Sequence, residues 1–101
     1  MKATKQTVFR LTMWERKGRK AARAKTKALI CMFLRSVDKY AEQVGTRDVH
    51  EFFESRAHLS ASTLRDYYYA IRVLWRIGLL RDSDPPPPRS SRACVMQNES
   101  K

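Results

Sequence analysis

Residues 59–78 read LSASTLRDYYYAIRVLWRIG, and the fold turns on how this stretch is read. Ser60 stands where a hydroxyl satisfies a free N–H at a helix start, and Leu59 before it is spaced to pack on Leu64 as a hydrophobic staple. From there Leu64, Tyr67, Tyr68, Ile71, Leu74 and Trp75 recur at helical spacing, and at about 100° per residue they fall on one side. Ser62, Arg65, Tyr69, Arg72 and Arg76 share a narrow stripe away from that side, with Asp66 at its edge. The spacing predicts a helix from Ala61 to about Ile77, stopped by Gly78, with one apolar face and another that is cationic and bears hydroxyls.

Upstream, Thr46 as N-cap, Asp48 near the positive helix end and the apolar set Val49, Phe52, Phe53 predict a short helix closing near Arg56. Before it, Ile30, Phe33, Leu34, Val37, Ala41 and Val44 keep a helical period opposite Arg35, Asp38, Lys39 and Glu42, which predicts an amphipathic helix over residues 27–44 with Thr26 as N-cap. Lys17 to Lys27 can extend that helix as a basic overhang, against the weakening effect of Gly18. After Gly78, Asp82-Ser83-Asp84 and the run Pro85 to Pro88 cannot continue a helix. Two readings stand there: an extended Pro/Ser-rich tail, or a β-hairpin wing with Leu79–Arg81 and Ala93–Met96 as strands. The expected fold is mainly α, a small bundle of three to four helices with a helix-turn-helix-like arrangement, and the alternative is a winged helix. The expected division is a basic N-terminal arm at 1–26, a helical domain at 27–81 and a tail or wing at 82–101.

Charge is segregated. Of a net +11, residues 1–27 carry ten Lys or Arg against the single acid Glu15, whereas residues 28–84 are balanced. Such a distribution favours a polyanionic partner, because every neutralised phosphate releases condensed counterions whatever the base sequence. Within the basic segment Arg16, Lys17, Arg19, Lys20 and Arg23 are the expected phosphate contacts. On the helix stripe, arginine is the side chain that reads guanine edges and grips phosphate, and a helix is the element that fits a major groove. A solvated helix face also carries charge. The stripe is favoured as a contact surface because it holds no acid and because the short capped helix before it gives the order in which a second helix is presented outward.

Other chemistry is poorly served. Cys31 lies in an apolar run and Cys94 in a polar tail, and His50 and His58 flank a helix end without a supporting carboxylate or thiol set, so no metal site is expected. Three glycines leave no phosphate-cradling loop, and Glu51 and Glu54 read as a solvated pair. No enzyme, metal or cofactor is expected. The apolar run Ala28 to Leu34 is too short to cross a bilayer, so the chain reads as soluble and cytoplasmic, nucleoid-associated in a bacterium or nuclear in a eukaryote. An organelle transit peptide ranks lower.

The segment Thr46-Arg47-Asp48-Val49, Leu59-Ser60-Ala61-Ser62-Thr63-Leu64-Arg65, Ile71-Arg72-Val73-Leu74, Gly78 and Pro85 resembles the helical core-binding (SAM-like) domain of tyrosine recombinases and phage integrases. It is also similar to winged-helix regulators, in which a Ser-x-x-Thr recognition helix ends in Gly-Leu-Leu at the first wing strand. Both resemblances imply DNA contact through Ser62, Arg65, Tyr69, Arg72 and Arg76. The recombinase catalytic domain is not part of either resemblance, since this chain has no room for it. The resulting expectation is a sequence-specific DNA-binding protein, a small transcriptional regulator or an accessory factor of a mobile element, acting on double-stranded DNA and dimeric if Leu29 and Met32 form a seam. An RNA- or ribosome-associated protein and a protein–protein adaptor are the alternatives.

Overall fold

Ser60 Oγ accepts the N–H of Thr63 at 3.3 Å and opens helix α4, Ala61–Val73, as its capping position predicts. The computed structural model describes residues 1–88, and among them the chain forms α1 (Lys5–Arg16), α2 (Lys20–Val37), α3 (Thr46–Ser55) and α4. A 3₁₀ turn at Ala41–Gln43 joins α2 to α3, and a π-helical turn at Leu74–Gly78 prolongs α4. The described residues contain no strand, which leaves a small helical bundle and removes the winged-helix alternative. Leu79–Arg81, one proposed wing strand, follows the π turn, and Ala93–Met96 lies outside the described residues.

The core forms where α2, α3 and α4 meet. Phe52 of α3 stands edge-on to Phe33 of α2, with ring centroids 4.9 Å apart, and to Tyr67 of α4 at 5.1 Å. Such edge contacts suit the ring quadrupole and add about 0.5–1.5 kcal/mol each to simple burial. The α3 start is held by Asp48, whose Oδ2 accepts from the Gly45 N–H at 2.9 Å, so Gly45 is the N-cap and Thr46 the first helical residue.

The helix expected at 27–44 divides. It begins at Lys20, and Thr26 is no cap: it is buried in mid-helix with Oγ1 donating to the Ala22 carbonyl at 3.3 Å. It ends at Asp38, which takes the left-handed conformation (φ 56°) that short polar side chains tolerate. Ala41 and Val44 nevertheless reach the core, from the 3₁₀ turn, and this explains why the apolar period runs on past the helix end.

The larger departure concerns residues 1–26, which are not an arm. Leu11 of α1 is fully buried, and Gly78 lies against it: a Cβ at Gly78 would sit 3.3 Å from Leu11 Cγ, Thr7 Cγ2 and Leu74 Cδ1. The glycine therefore permits close approach of α1 to the π turn as well as closing the helical stretch where the sequence predicts, and beyond it Leu80 takes the left-handed position (φ 55°) and the Arg81 N–H donates to the Trp75 carbonyl at 3.0 Å. Arg10 Nε donates to the Gly78 carbonyl at 2.8 Å. At the other end of α1, Glu42 accepts from the Thr4 N–H at 3.2 Å, from Thr4 Oγ1 at 2.8 Å and from the buried Thr7 Oγ1. Lys2 pairs with Asp38, and its carbonyl accepts from the Ala41 N–H at 2.8 Å.

Two outcomes test this docking. Leu11→Ala is expected to cost about 2–5 kcal/mol of unfolding free energy, read from denaturant midpoints at constant slope; an arm that merely trails from the body would leave the midpoint unchanged. Burial alone would raise the Glu42 carboxyl, but the hydrogen bonds from Thr7, Thr4 and the backbone outweigh it and hold Glu42 below its ordinary value of 4.5. Because the folded value is the lower one, the contribution is present above about pH 4.5 and disappears as pH falls through the folded value. Glu42→Gln should therefore lower stability at neutral pH, and the gap from the wild type should narrow in acid; a gap independent of pH would show that the carboxylate charge is not what Thr4 and Thr7 hold.

Candidate nucleic-acid interface

All five stripe residues of α4 and its π turn, Ser62, Arg65, Tyr69, Arg72 and Arg76, are exposed, as the angular spacing predicts. Tyr69 keeps 51% of its surface open, whereas Tyr67 is buried and Tyr68 half-buried, with its hydroxyl donating to the Pro85 carbonyl at 3.0 Å. Ser62 lies 3.4 Å from the capping Ser60 hydroxyl. Arg65 has no ion pair among the described residues.

The basic residues of the N-terminal segment divide by role. Arg23 belongs to the fold: its guanidinium lies 4.5 Å from the Trp14 ring centroid and donates to the Trp14 carbonyl at 2.5 Å, capping the negative end of α1. Lys27 bridges α2 to Glu15 and Thr12 of α1 at 3.3 and 3.2 Å. Arg16, Lys17, Arg19 and Lys20, by contrast, are exposed at the α1–α2 joint with no partner among the described residues. Arg19 is the N-cap of α2 and makes no side-chain capping bond, and the first turn holds no acid. Free N–H groups, the positive end of the helix dipole and four cationic side chains thus coincide at one corner.

Trp14 connects this corner to the α4 stripe. Together with Tyr69, Arg72, Val73, Arg76 and Ile77 it lines a cleft of about 220 Å³. Trp14, Arg76 and Ile77 also line a neighbouring cleft of about 460 Å³, where Phe9, Met13 and Leu80 add apolar surface and Arg10 and Lys17 add charge. Every charged residue lining the two clefts is a cation. Neither Trp14 nor Phe9 is in the sequence-derived set. The available signal was Thr7, Leu11 and Trp14 at i, i+4 and i+7, hidden because a threonine begins the apolar face.

Arg72 and Arg76 are less free than the stripe implies. Asp84 Oδ1 lies 3.4 Å from Arg72 Nε and 3.4 Å from Arg76 Nη1, and Arg76 also donates to the Asp82 carbonyl at 3.2 Å. The segment that delivers Asp84 is anchored by the buried Pro85 and by Arg81, whose guanidinium stacks 4.2 Å from the Trp75 ring centroid. All three side chains of this triad remain about half exposed, where an ion pair contributes about 0–1 kcal/mol. A polyanion can displace a pair of that strength.

Among the described residues no group of three His, Cys, Asp or Glu side chains is placed to hold a metal ion, and no helix is long and apolar enough to cross a membrane. His50 and His58 line neither cleft. Of the two dimer-seam candidates, Leu29 packs against the core, and Met32 stays 52% exposed. Compared with known proteins, the chain matches no protein-family model, and neither the curated proteins nor the solved structures contain a match to it.

Asp84→Asn removes the carboxylate charge shared by two arginines, so the variant should elute from immobilised heparin at higher salt than the wild type. An unchanged elution position would mean that Asp84 does not compete for the stripe.

Proposed function

We propose that this protein binds double-stranded DNA without catalysing a reaction on it, as a small transcriptional regulator or an accessory factor of a mobile element. The observation that carries this reading is the meeting of two cation sets, distant in sequence, on one face: Lys17 of the α1–α2 joint and Arg76 of the α4 stripe line the same cleft. In this reading α4 enters the major groove with Arg65, Tyr69, Arg72 and Arg76 toward base edges, and Arg16, Lys17, Arg19 and Lys20 hold the flanking phosphates. Arg23 supports the corner from beneath. The likeness of the α3–α4 segment to integrase core-binding domains points to the same helix. A monomer of this size reads a short site and discriminates weakly, so strong specificity would call for two copies on paired half-sites.

The test is selection of bound duplexes from a random pool at physiological salt, where non-specific phosphate binding is weak. Enrichment of a short motif is expected, with a palindrome if the protein acts as a dimer. Preference for hairpin RNA at matched salt would instead identify an RNA-binding protein, and no binding to either would identify an adaptor. On the selected site, Arg65→Ala or Arg72→Ala should cost about 1–3 kcal/mol and relax preference at one base position. The triple variant Lys17→Gln, Arg19→Gln, Lys20→Gln should weaken all sequences alike and reduce the slope of log K against log salt by up to about 0.9 per lost phosphate contact. Neutralisation is the informative change here, because removing residues 1–26 would also remove buried Leu11.

A further inference from the structure

A duplex contact explains the cations of this face but not the apolar side chains standing open among them. Phe9 is 64% exposed, Leu80 63%, Tyr69 51% and Ile77 36%, and all four line the two clefts that meet at Trp14. Paired DNA keeps its bases stacked and presents their edges and its phosphates; it has little to place in an aromatic recess. An unpaired nucleotide has both a flat π face and a phosphate, and aromatic rings set beside guanidinium groups are the combination that receives such a nucleotide. Charge excludes the competing occupants to different degrees. A second copy of a chain with net charge +11 would bring cation against cation at this cleft. An acidic peptide fits the charge, but its aliphatic side chains do not account for Trp14 and Tyr69 sharing the smaller cleft with Arg72 and Arg76.

We propose that the clefts around Trp14 take an unpaired nucleotide of DNA, its base against Trp14 and Tyr69 and its phosphates on Lys17, Arg72 and Arg76, so that the protein prefers gapped DNA to a fully paired duplex. This inference rests on the reading of the same face as a DNA-binding surface. Its shape argument is the recess itself: the smaller cleft lies between the ring of α1 and the ring of α4, with Arg72 and Arg76 bordering it on the α4 side, and Lys17 lines the neighbouring cleft that shares Trp14 and Arg76.

The experiment uses the full chain and two labelled duplexes of equal length, one fully paired and one with a short thymidine gap, compared by fluorescence anisotropy at matched salt. The gapped probe is expected to bind at least about fivefold tighter, in line with the stacking of one base. Tyr69→Ala should weaken the gapped probe more than the paired one, so that the ratio of the two affinities falls towards one, and Tyr69→Phe, which keeps the ring, should retain the ratio. Tryptophan emission gives an independent readout: Trp75 is 2% exposed, so quenching by the gapped probe reports Trp14. Equal affinity for both probes would overturn the inference and leave duplex binding standing. Binding to neither probe would overturn both readings. Capture of a synthetic amphipathic Leu/Glu peptide by a protein that binds neither DNA would assign the clefts to an acidic polypeptide and equally overturn it.

Discussion

The close approach of α1 to the π turn at Gly78 is the contact that gives every other feature of the face its place. Gly78 has no side chain to hold Leu11 away, Thr7 fits beside it, and Arg10 closes the contact by donating to the Gly78 carbonyl. Two further anchors fix α1 along its length. Glu42 gathers Thr4 and Thr7 at the N-terminal end, and Arg23 caps the Trp14 carbonyl near the C-terminal end. Burial of one leucine contributes on the order of 1.5–3 kcal/mol, a large share of the net stability of a small domain. Without this docking, the ten basic residues of the N-terminal segment would be a solvated tail. With it, four of them project from a fixed corner beside Trp14.

Charge in this protein is therefore of two kinds. Lys2, Arg10, Arg23 and Lys27 each have a named partner, and these contacts hold α1 to the body or cap its end. Arg16, Lys17, Arg19, Lys20 and Arg65 have none among the described residues. Arg72 and Arg76 fall between, held by one carboxylate that they share. Because Asp84 is delivered by a segment anchored through Pro85 and Arg81, its carboxylate stays near the stripe without any need for a strong ion pair. It acts as a resident anion of modest strength. Whatever occupies the stripe must compete with it, which disfavours weak single anions more than a polyanion making several contacts at once.

The fold was legible in the sequence where apolar period and capping chemistry agreed. Ser60, with Leu59 and Leu64 around it, marks the α4 start, and Val49, Phe52 and Phe53 mark the buried side of α3. The period misled where it crossed a helix end: Ala41 and Val44 continue the phase of α2 from a separate 3₁₀ turn, and the break lies at Asp38, an ordinary polar residue that adopts left-handed backbone. Gly78 was legible as the end of the helical stretch, but its second role was not, because a glycine that only ends a helix and one that also admits a neighbouring helix look alike in one dimension. The largest omission was α1. Its lysines and arginines dominate the composition of the first turns, and its buried side consists of Thr7 and Leu11, too few residues to register as an amphipathic face. The stripe of α4 followed from helix geometry alone. Its neighbours Trp14 and Asp84 did not, since both arrive through tertiary contacts.

Anion binding at the corner where α1 meets α2 would be linked to folding. Arg16, Lys17, Arg19 and Lys20 crowd together at the positive end of α2, where no acid in the first turn offsets the dipole, so their mutual repulsion opposes the docked arrangement. In the unfolded chain the same residues separate and that repulsion relaxes. An anion seated at the corner would remove a cost that exists only in the folded state, and would thereby stabilise α1 against the body through mass action. Leu11 and Gly78 would feel that gain although neither touches the ligand, because they hold the helix that brings the cations together. The balance between close apolar contact at one side of α1 and unneutralised charge at its end is what would let an anion bound at that corner act on the whole domain.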